Sequence, residues 1–342
     1  MAISVVMPAY NAAHYMPLVL KPLMPMLEAG EVCEILVVDD QSTDNTVAVA
    51  EELGATVIRN PVNGGPGAAR NLAAQRAKGD ILWFVDSDVI AWPGGAEHVR
   101  AAFADETVHA VFGSYDDSPS GQSWISRYKN LTHRYYHQRG QSEASTFWAG
   151  CGAVRKSAFL NVGGFDVETY TRPSIEDIEL GYRIRGAGGR ILLLPDLLGK
   201  HLKVWTVRNV LHTDIFMRAI PWSRLMIAQG SLTDDLNVSK AERARAFVAG
   251  LLLLSLLLLL FAPGLWPMKL AVLGLVFAVN WSFFSFLRKS GGIRFALAGL
   301  AFHQLYYLYS TAAYGWCLLE SCFSVRRDQM PKHAGKAAAP QS

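Results

Sequence analysis

The stretch Ile81-Leu82-Trp83-Phe84-Val85-Asp86-Ser87-Asp88 decides how this chain is read. Its apolar part is unbroken and mostly aromatic or β-branched, the pattern of a strand buried on both faces. Two carboxylates, one residue apart, follow at the carboxyl end of that strand. Isolated carboxylates are costly to desolvate, so the pair belongs at a surface crevice, with a divalent cation as its simplest partner. In an open α/β sheet, ligands bind at the carboxyl ends of the strands.

Upstream, strands and helices alternate. Residues 3–7 predict a first strand stopped by Pro8. Asn11 then caps a helix over 12–28 that Pro17, Pro22 and Pro25 break or kink. Residues 34–38 predict a second buried strand ending in Asp39-Asp40, followed by N-caps at Ser42, Thr43 and Asp44 and a helix through Leu53. A short strand over 56–58, a turn-rich loop from Asn60 to Gly67 and a helix over 68–77 lead back to the stretch quoted above. This alternation predicts an α/β fold with a Rossmann-like, mostly parallel, doubly wound sheet and right-handed crossovers. Further on, the pattern predicts helices over 96–103 and 123–139 and strands over 108–112, 146–154 and 191–194. A helix opens at Ile175-Glu176-Asp177.

The composition is uneven. Of 342 residues, 51% are hydrophobic and 18% charged, and most of the apolar excess lies after Arg245. A net charge of +3 without a basic stripe interleaved with aromatics argues against nucleic acid as a partner. Cys33, Cys151, Cys317 and Cys322 form no CxxC pair, which fits reduced thiols and no zinc site. Met1 leads straight into a strand without a basic leader, so the first part of the chain is expected to stay cytosolic.

The last third changes character. Segments 246–262, 270–287 and 295–319 carry no charge, and 251–260 is leucine throughout except for Ser255. Each approaches or reaches the ~20 residues of a membrane-spanning helix. The expected arrangement is an all-helical membrane region over 240–322 with two or three helices, multi-pass in an inner or plasma membrane. Lys240, Arg243 and Arg245 before the first segment, and Arg288, Lys289 and Arg294 after the second, are expected to lie with the first part of the chain on the cytoplasmic side. The basic tail over 323–342 is expected to be disordered.

Three acidic points fall where such a fold brings strand ends together: Asp39-Asp40, Asp86 with Asp88, and Glu176-Asp177. A Mg²⁺ or Mn²⁺ ion at Asp86 and Asp88 would take one or two carboxylates plus diphosphate oxygens, and would neutralise a leaving nucleotide diphosphate. Asp39 and Asp40 suit hydrogen bonds from a base or ribose, or ordinary capping. Gly64-Gly65-Pro66-Gly67 lacks the lysine of a phosphate-binding loop and reads as a close-approach loop presenting Arg70 and Asn71. Neighbouring residues on a helix point about 100° apart, so either Glu176 or Asp177 faces the crevice as general base, but not both. Charge compensation at a helix N-terminus is the plainer reading of that pair.

Together these motifs resemble the family 2 glycosyltransferases, which have the GT-A fold. The resemblance covers residues 1–200 and rests on ordered motifs. They are Val6-Met7-Pro8-Ala9-Tyr10-Asn11, Val37-Val38-Asp39-Asp40-Gln41-Ser42-Thr43-Asp44-Asn45-Thr46, Asn63 with Gly67-Ala68-Ala69-Arg70-Asn71, Asp86-Ser87-Asp88, Gly163-Gly164-Phe165-Asp166 and Glu176-Asp177-Ile178-Glu179-Leu180. It implies a catalytic domain over 1–230, with a core over 1–200 and an interfacial segment over 200–230. It also implies nucleotide-sugar binding through Pro8, Tyr10, Asp39, Asp40 and Arg70, and a metal at Asp86 and chiefly Asp88. Asp177 would be the base, and His201 a further candidate metal ligand. The implied reaction inverts the anomeric centre as the diphosphate leaves.

Two departures carry weight. Gln41 stands where the family usually has glycine, and the Q-x-x-R-W motif of processive synthases is missing, Ile220-Pro221-Trp222-Ser223-Arg224 not reproducing it. Transfer of a single sugar to a lipid-linked or glycolipid acceptor at a membrane surface is therefore expected. The Tyr- and His-rich 128–137 and the basic 200–224 are candidates to dock its headgroup. The sequence leaves the oligomeric state open. The alternatives are a membrane phosphohydrolase of the haloacid dehalogenase type, from the resemblance of Val85-Asp86-Ser87-Asp88-Val89 to its nucleophile motif, and a non-catalytic scaffold with the same fold.

Overall fold

The computed structural model describes residues 1–230, 232 and 234–323; the expected basic tail beyond Phe323 lies outside the described residues. The chain divides into two units, one built from residues 1–122 and 137–204, the other from 123–136 and the residues after 204. The division assigns most of the Tyr- and His-rich helix to the second unit.

In the first unit, the described strands form one sheet. They are β1 (Ile3–Ala9), β2 (Glu34–Asp39), β3 (Thr56–Arg59), β4 (Ile81–Val85), β5 (Val89–Ala91), β6 (Val108–Tyr115), β7 (Glu143–Ala144), β8 (Cys151–Arg155) and β9 (Arg190–His201). Their order is β3-β2-β1-β4-β8-β6-β9-β5, with β7 against β9. Between the first strands run α1 (Met16–Leu20), α2 (Met24–Glu28), α3 (Thr46–Glu52) and α4 (Gly65–Arg76); α5 (Gly95–Ala102) follows β5. β1 to β4 pair in parallel, as the alternation predicts. Beyond β4 the sheet is mixed: β8 lies antiparallel between β4 and β6, and β6 pairs with β9 in parallel. The buried apolar pattern of β8 is the same in either direction, which is why sequence periodicity does not reveal its sense. A doubly wound parallel half is thus followed by a mixed half, in line with the α/β fold class expected from the GT-A resemblance.

β4 lies at the centre, all of its residues buried. Phe84 packs against Phe147, Phe159 and Phe165 at centroid distances of 5.5–6.3 Å. Burying each such ring stabilises the fold by about 1.5–3 kcal/mol. Contrary to the sequence expectation, Pro8 does not stop β1. The strand pairs with β2 through Pro8 and Ala9, whereas its ladder with β4 ends at Val6, so beyond that point the strand has a free edge on which a proline costs no ladder bond.

Asn11 also departs from its expected role. It takes φ +50°, and its side-chain oxygen accepts from the backbone N–H of Thr43 at 2.8 Å. The predicted helix over 12–28 becomes α1 and α2, each with a proline in its first turn. The loops after β1 and β2 are further joined by Ala12 N–H donating to Thr46 Oγ1 at 2.8 Å.

Further along are α6 (Trp124–His137), then α7 (Lys156–Asn161) and α8 (Glu176–Gly186) in the first unit. The second unit contains most of α6 together with α9 (Val207–His212), a π-helical stretch Thr213–Ala219, α10 (Ile220–Gln229), α11 (Lys240–Leu259), α12 (Trp266–Val279) and α13 (Trp281–Phe323). Its core packs aromatic residues of α6, including Tyr128 and Tyr135, against Phe283, Phe284, Leu287 and Phe302 of α13. A polar network is buried within it. Tyr128 and Tyr136 flank His303 at 2.7 and 3.0 Å, and Tyr136 and Tyr307 donate to Glu242 at 2.9 and 2.6 Å. Glu242 also pairs with Arg245, and Asp214 pairs with Lys129 while accepting from Tyr309 at 2.8 Å.

The three uncharged segments fold differently from separate straight spans. α11 begins at Lys240, so its first turns carry charge. Segment 270–287 breaks at buried Asn280, whose amide donates to Val276 O, and α12 and α13 meet there at 70°. Gly292, at φ +81°, interrupts α13. Among the described residues no single helix is long and apolar enough to cross a membrane, while the bent α12–α13 pair has the length and composition to do so. Many large apolar residues here are exposed, among them Leu254, Leu256, Leu257, Phe261, Trp266, Trp281 and Trp316.

Candidate active site

Asp86-Ser87-Asp88 forms the tight turn between β4 and β5, closed by Val89 N–H donating to Asp86 O at 2.9 Å. β5 pairs with β9 so that Val89 faces His201, and Leu202 N–H donates to Asp88 O at 2.8 Å. These backbone bonds bring two residues distant in sequence together: His201 Nε2 stands 3.5 Å from Asp88 Oδ2. Burial works against ionisation of Asp88, but His201 and the nearby Lys203 outweigh it and hold the carboxyl below its ordinary range.

Asp86 gives its Oδ1 to Arg70 at 2.5 Å instead of joining that pair. The predicted metal set of Asp86, Asp88 and His201 is thus divided, and no group of three His, Cys, Asp or Glu side chains stands ready for a metal among the described residues. The Asp88–His201 pair still fits a hard divalent cation. A carboxylate and an imidazole are acceptable donors, and such ions fill their remaining positions with ligand oxygens and water.

Arg70 is itself buried, 4% exposed, on α4. Its other terminal nitrogen lies 3.9 Å from Glu176 Oε1, and its guanidinium packs over Phe165 at 5.3 Å. It therefore bridges two acidic points, where the sequence reading gave it to the nucleotide. Burial, with Asp88 and Asp177 nearby, pushes the Asp86 carboxyl up despite Arg70. Burial and Asp177 likewise push Glu176 up. At the start of α8 the two candidate bases have different surroundings. Glu176 is buried, facing Arg70 and accepting from Ser174 N–H at 2.7 Å. Asp177 is half-buried, with Oδ2 accepting from Ala149 N–H at 3.2 Å and Oδ1 from Ile178 N–H at 2.9 Å.

The β1 and β2 ends form a second group. Pro8 is buried, and Tyr10 is exposed just past the strand. Asp39 is buried and accepts from Ser42 N–H at 3.2 Å. The Asp40 carboxylate is fully engaged by Asn60 Nδ2 and the backbone N–H groups of Gly64 and Gly65, at 2.7–3.0 Å. Asp40 thus fastens the glycine loop at the start of α4, the capping that the sequence allows beside a base or ribose contact. Gln41 takes φ +68°, the left-handed region that favours glycine, and this explains glycine as the common family residue. Its Nε2 donates to Asn60 O at 2.5 Å, which offsets part of the backbone cost.

Sequence reasoning missed the loop before β8. The predicted strand over 146–154 starts only at Cys151, and Trp148, Ala149 and Gly150 precede it in a turn. Ala149 N–H orients Asp177, and Gly150 O accepts from Asp86 N–H at 3.2 Å. Glycine at 150 and 152 was the available signal. A Cβ at Gly150 would come within 2.6 Å of the Trp148 indole, and one at Gly152 within 2.3 Å of Trp148 O.

Residues 4–163 match the family model described as Glycosyl transferase family 2. This stretch is similar to a family 2 glycosyltransferase domain. The matched residues contain both strand-end groups and the Asp86-Ser87-Asp88 turn; Glu176, Asp177 and His201 lie beyond them. The chain is 30% identical over 194 residues to a pre-mycofactocin glycosyltransferase of Mycobacterium tuberculosis, covering 52% of this chain and 40% of that protein. It is 40% identical over 94 residues to a poly(ribitol-phosphate) beta-glucosyltransferase of Bacillus spizizenii, covering 26% and 15%. The chain thus spans less than half the length of either relative. Among solved structures, a mannosyltransferase from Pyrobaculum calidifontis in complex with GDP-Man and Mn²⁺ is 18% identical, covering 94% of this chain and 87% of that one with a TM-score of 0.49.

Proposed function

We propose that this protein is an inverting, metal-dependent glycosyltransferase that moves a single sugar from a nucleotide-diphosphate sugar to a lipid-linked or membrane-surface acceptor. One observation carries the reading. Within the family 2 domain's unit, the Asp88–His201 pair and the half-buried Asp177 stand in one cluster of acidic groups that Arg70 neutralises only in part. Asp88 and His201 would hold the Mg²⁺ or Mn²⁺, which supplies charge stabilisation to the departing diphosphate. Exposed Tyr10 offers a ring face to the base, and Asp39 and Pro8 shape the floor beneath it.

Asp177 suits the base role better than Glu176. Glu176 is occupied by Arg70 and Ser174, whereas Asp177 keeps solvent access while Ala149 N–H fixes one oxygen. Asp177 would take the proton of the acceptor hydroxyl as that oxygen attacks C1 of the sugar. Arg70 keeps Asp86 and Glu176 in place behind it. The phosphohydrolase alternative would need Asp86 as nucleophile, but its oxygen is held by a buried guanidinium.

Support for a membrane acceptor comes from the second unit. Its exposed leucines and tryptophans form more apolar surface than water-exposed helices ordinarily carry. The basic clusters at Lys240, Arg243, Arg245 and at Arg288, Lys289, Arg294 support a cytoplasmic side for those helix ends by the positive-inside rule. The relatives named above carry pre-mycofactocin and poly(ribitol-phosphate) in their names, so support for a membrane acceptor comes from the apolar surface alone.

The test is a nucleotide-sugar panel with Mn²⁺ and a membrane lipid extract, the product anomer being read by NMR. Transfer to an extractable lipid with inverted configuration is expected. No turnover with any donor would remove the enzyme reading; transfer with retention would remove the in-line mechanism. Extraction of cell membranes with alkaline carbonate should leave the protein in the pellet, and full release would remove the membrane anchor.

A further inference from the structure

Tyr115 ends β6, and His201 ends the neighbouring parallel strand β9, two residues beyond Gly199, the partner of Tyr115 in the ladder. Their rings lie face to face at 4.5 Å and 6° from parallel, both buried. Tyr115 also meets Trp148, in a T-shaped contact at 4.9 Å and 86°. Trp148 in turn meets His137 at 5.3 Å, and His137 Nδ1 is 2.8 Å from Gly113 O on β6. The Trp148 indole lies on the Cα of Gly150, in the tripeptide that fixes Asp177 through Ala149 N–H and Asp86 through Gly150 O.

We propose that Tyr115 and Trp148 are positioning residues that hold the His201 ring and the Asp177 carboxylate in one register. This rests on the reading of Asp88 and His201 as the metal pair. A metal-bound imidazole must keep its nitrogen lone pair, which lies in the ring plane, aimed at the ion. A ring stacked parallel to it blocks the tilting that would spoil that aim. Trp148, wedged edge-on, stops Tyr115 from sliding and presses the 148–150 turn against Asp86 and Asp177. Groups that orient metal ligands from behind typically change metal affinity about 10–100-fold when removed. The arrangement makes Tyr115 important for its ring face, so phenylalanine should replace it.

Mn²⁺ affinity of the full-length protein, read by electron paramagnetic resonance of free Mn²⁺ without any sugar, tests the metal side. Tyr115→Leu should weaken binding about 10-fold or more, and Tyr115→Phe should restore it to within about threefold. His201→Ala is the reference. If it binds Mn²⁺ as tightly as the parent protein, the metal reading fails and this proposal with it. If His201→Ala loses affinity while folded Tyr115→Leu keeps it, only the positioning role is overturned. On the base side, Trp148→Phe, a milder change that preserves an aromatic filler, should lower kcat about 10-fold while donor KM moves less than about threefold. Unchanged kcat, or a fall matched by KM, would overturn the link to Asp177.

Discussion

In the first unit Asp86, Asp88, Glu176 and Asp177 converge on Arg70 and Lys203, four carboxylates against two cations. In the second, Asp214 and Glu242 each meet their own cation, Lys129 or Arg245, and tyrosine hydroxyls fill the remaining acceptor positions. Both clusters bury acids at a desolvation cost, but only the second closes its electrostatics within the protein. The first is left with an excess of negative charge and carboxyls pushed up by burial and by one another, the condition of a site completed by a ligand.

This contrast can be tested by removing carboxylates one at a time. The largest effect is expected from Asp177→Asn, which should lower kcat by about 10²–10⁴ with donor binding unchanged. Steady-state kinetics with a binding titration check it, and wild-type turnover would return the base role to Glu176. Next, Glu242→Gln leaves half-buried Arg245 and two tyrosine hydroxyls facing a neutral amide and should destabilise the second unit by about 1–3 kcal/mol, with Mn²⁺ affinity of the first unit unchanged. Chemical denaturation followed by tryptophan fluorescence measures this; no loss would mean that the two clusters are energetically alike.

The same Asp177→Asn change should act on stability in the opposite direction. Removing a charge that raises both Asp86 and Glu176 relieves repulsion, with an expected gain of about 1 kcal/mol, or roughly 2–4 °C in Tm. A lower Tm would contradict the picture of an uncompensated site. The smallest effect is expected at Gln41→Gly, which relaxes the positive φ but loses the bond to Asn60 O and adds freedom to the unfolded chain. The balance should stay within about 0.5–1 kcal/mol of the parent protein, and a larger loss would show that the side-chain bond dominates.

Much of the first unit was legible. The β1 to β4 strands, the central place of β4 and the acidic points at strand ends all follow from buried runs alternating with helical spacing. Three features were not. The family resemblance implies a nucleotide contact for Arg70; its burial between Asp86 and Glu176 depends on α8, about a hundred residues away. The sequence allows Asp40 a base or ribose contact or ordinary capping, and its capping bonds go to a loop whose path depends on the parallel pairing of β2 and β3. The second uncharged segment reads as one helix, but Asn280 breaks it, because a polar amide can bond back to its own helix; Gly292, between the second and third segments, interrupts α13 by taking positive φ.

Local chemistry determined by itself that the chain is α/β, that carboxylates gather at strand ends, and that the last third is strongly apolar. Those properties are additive along the sequence: burial, propensity and charge are carried by each residue wherever it lies. Only the tertiary structure decided which carboxylates meet a cation within the protein and which are left for a ligand. Asp88 finds His201 through the β5–β9 ladder, Asp86 finds Arg70 across α4, and Asp177 is held by a turn before β8. Pairing energies fall off within a few ångströms, so they are settled by strand order and register, which the linear order of residues does not contain.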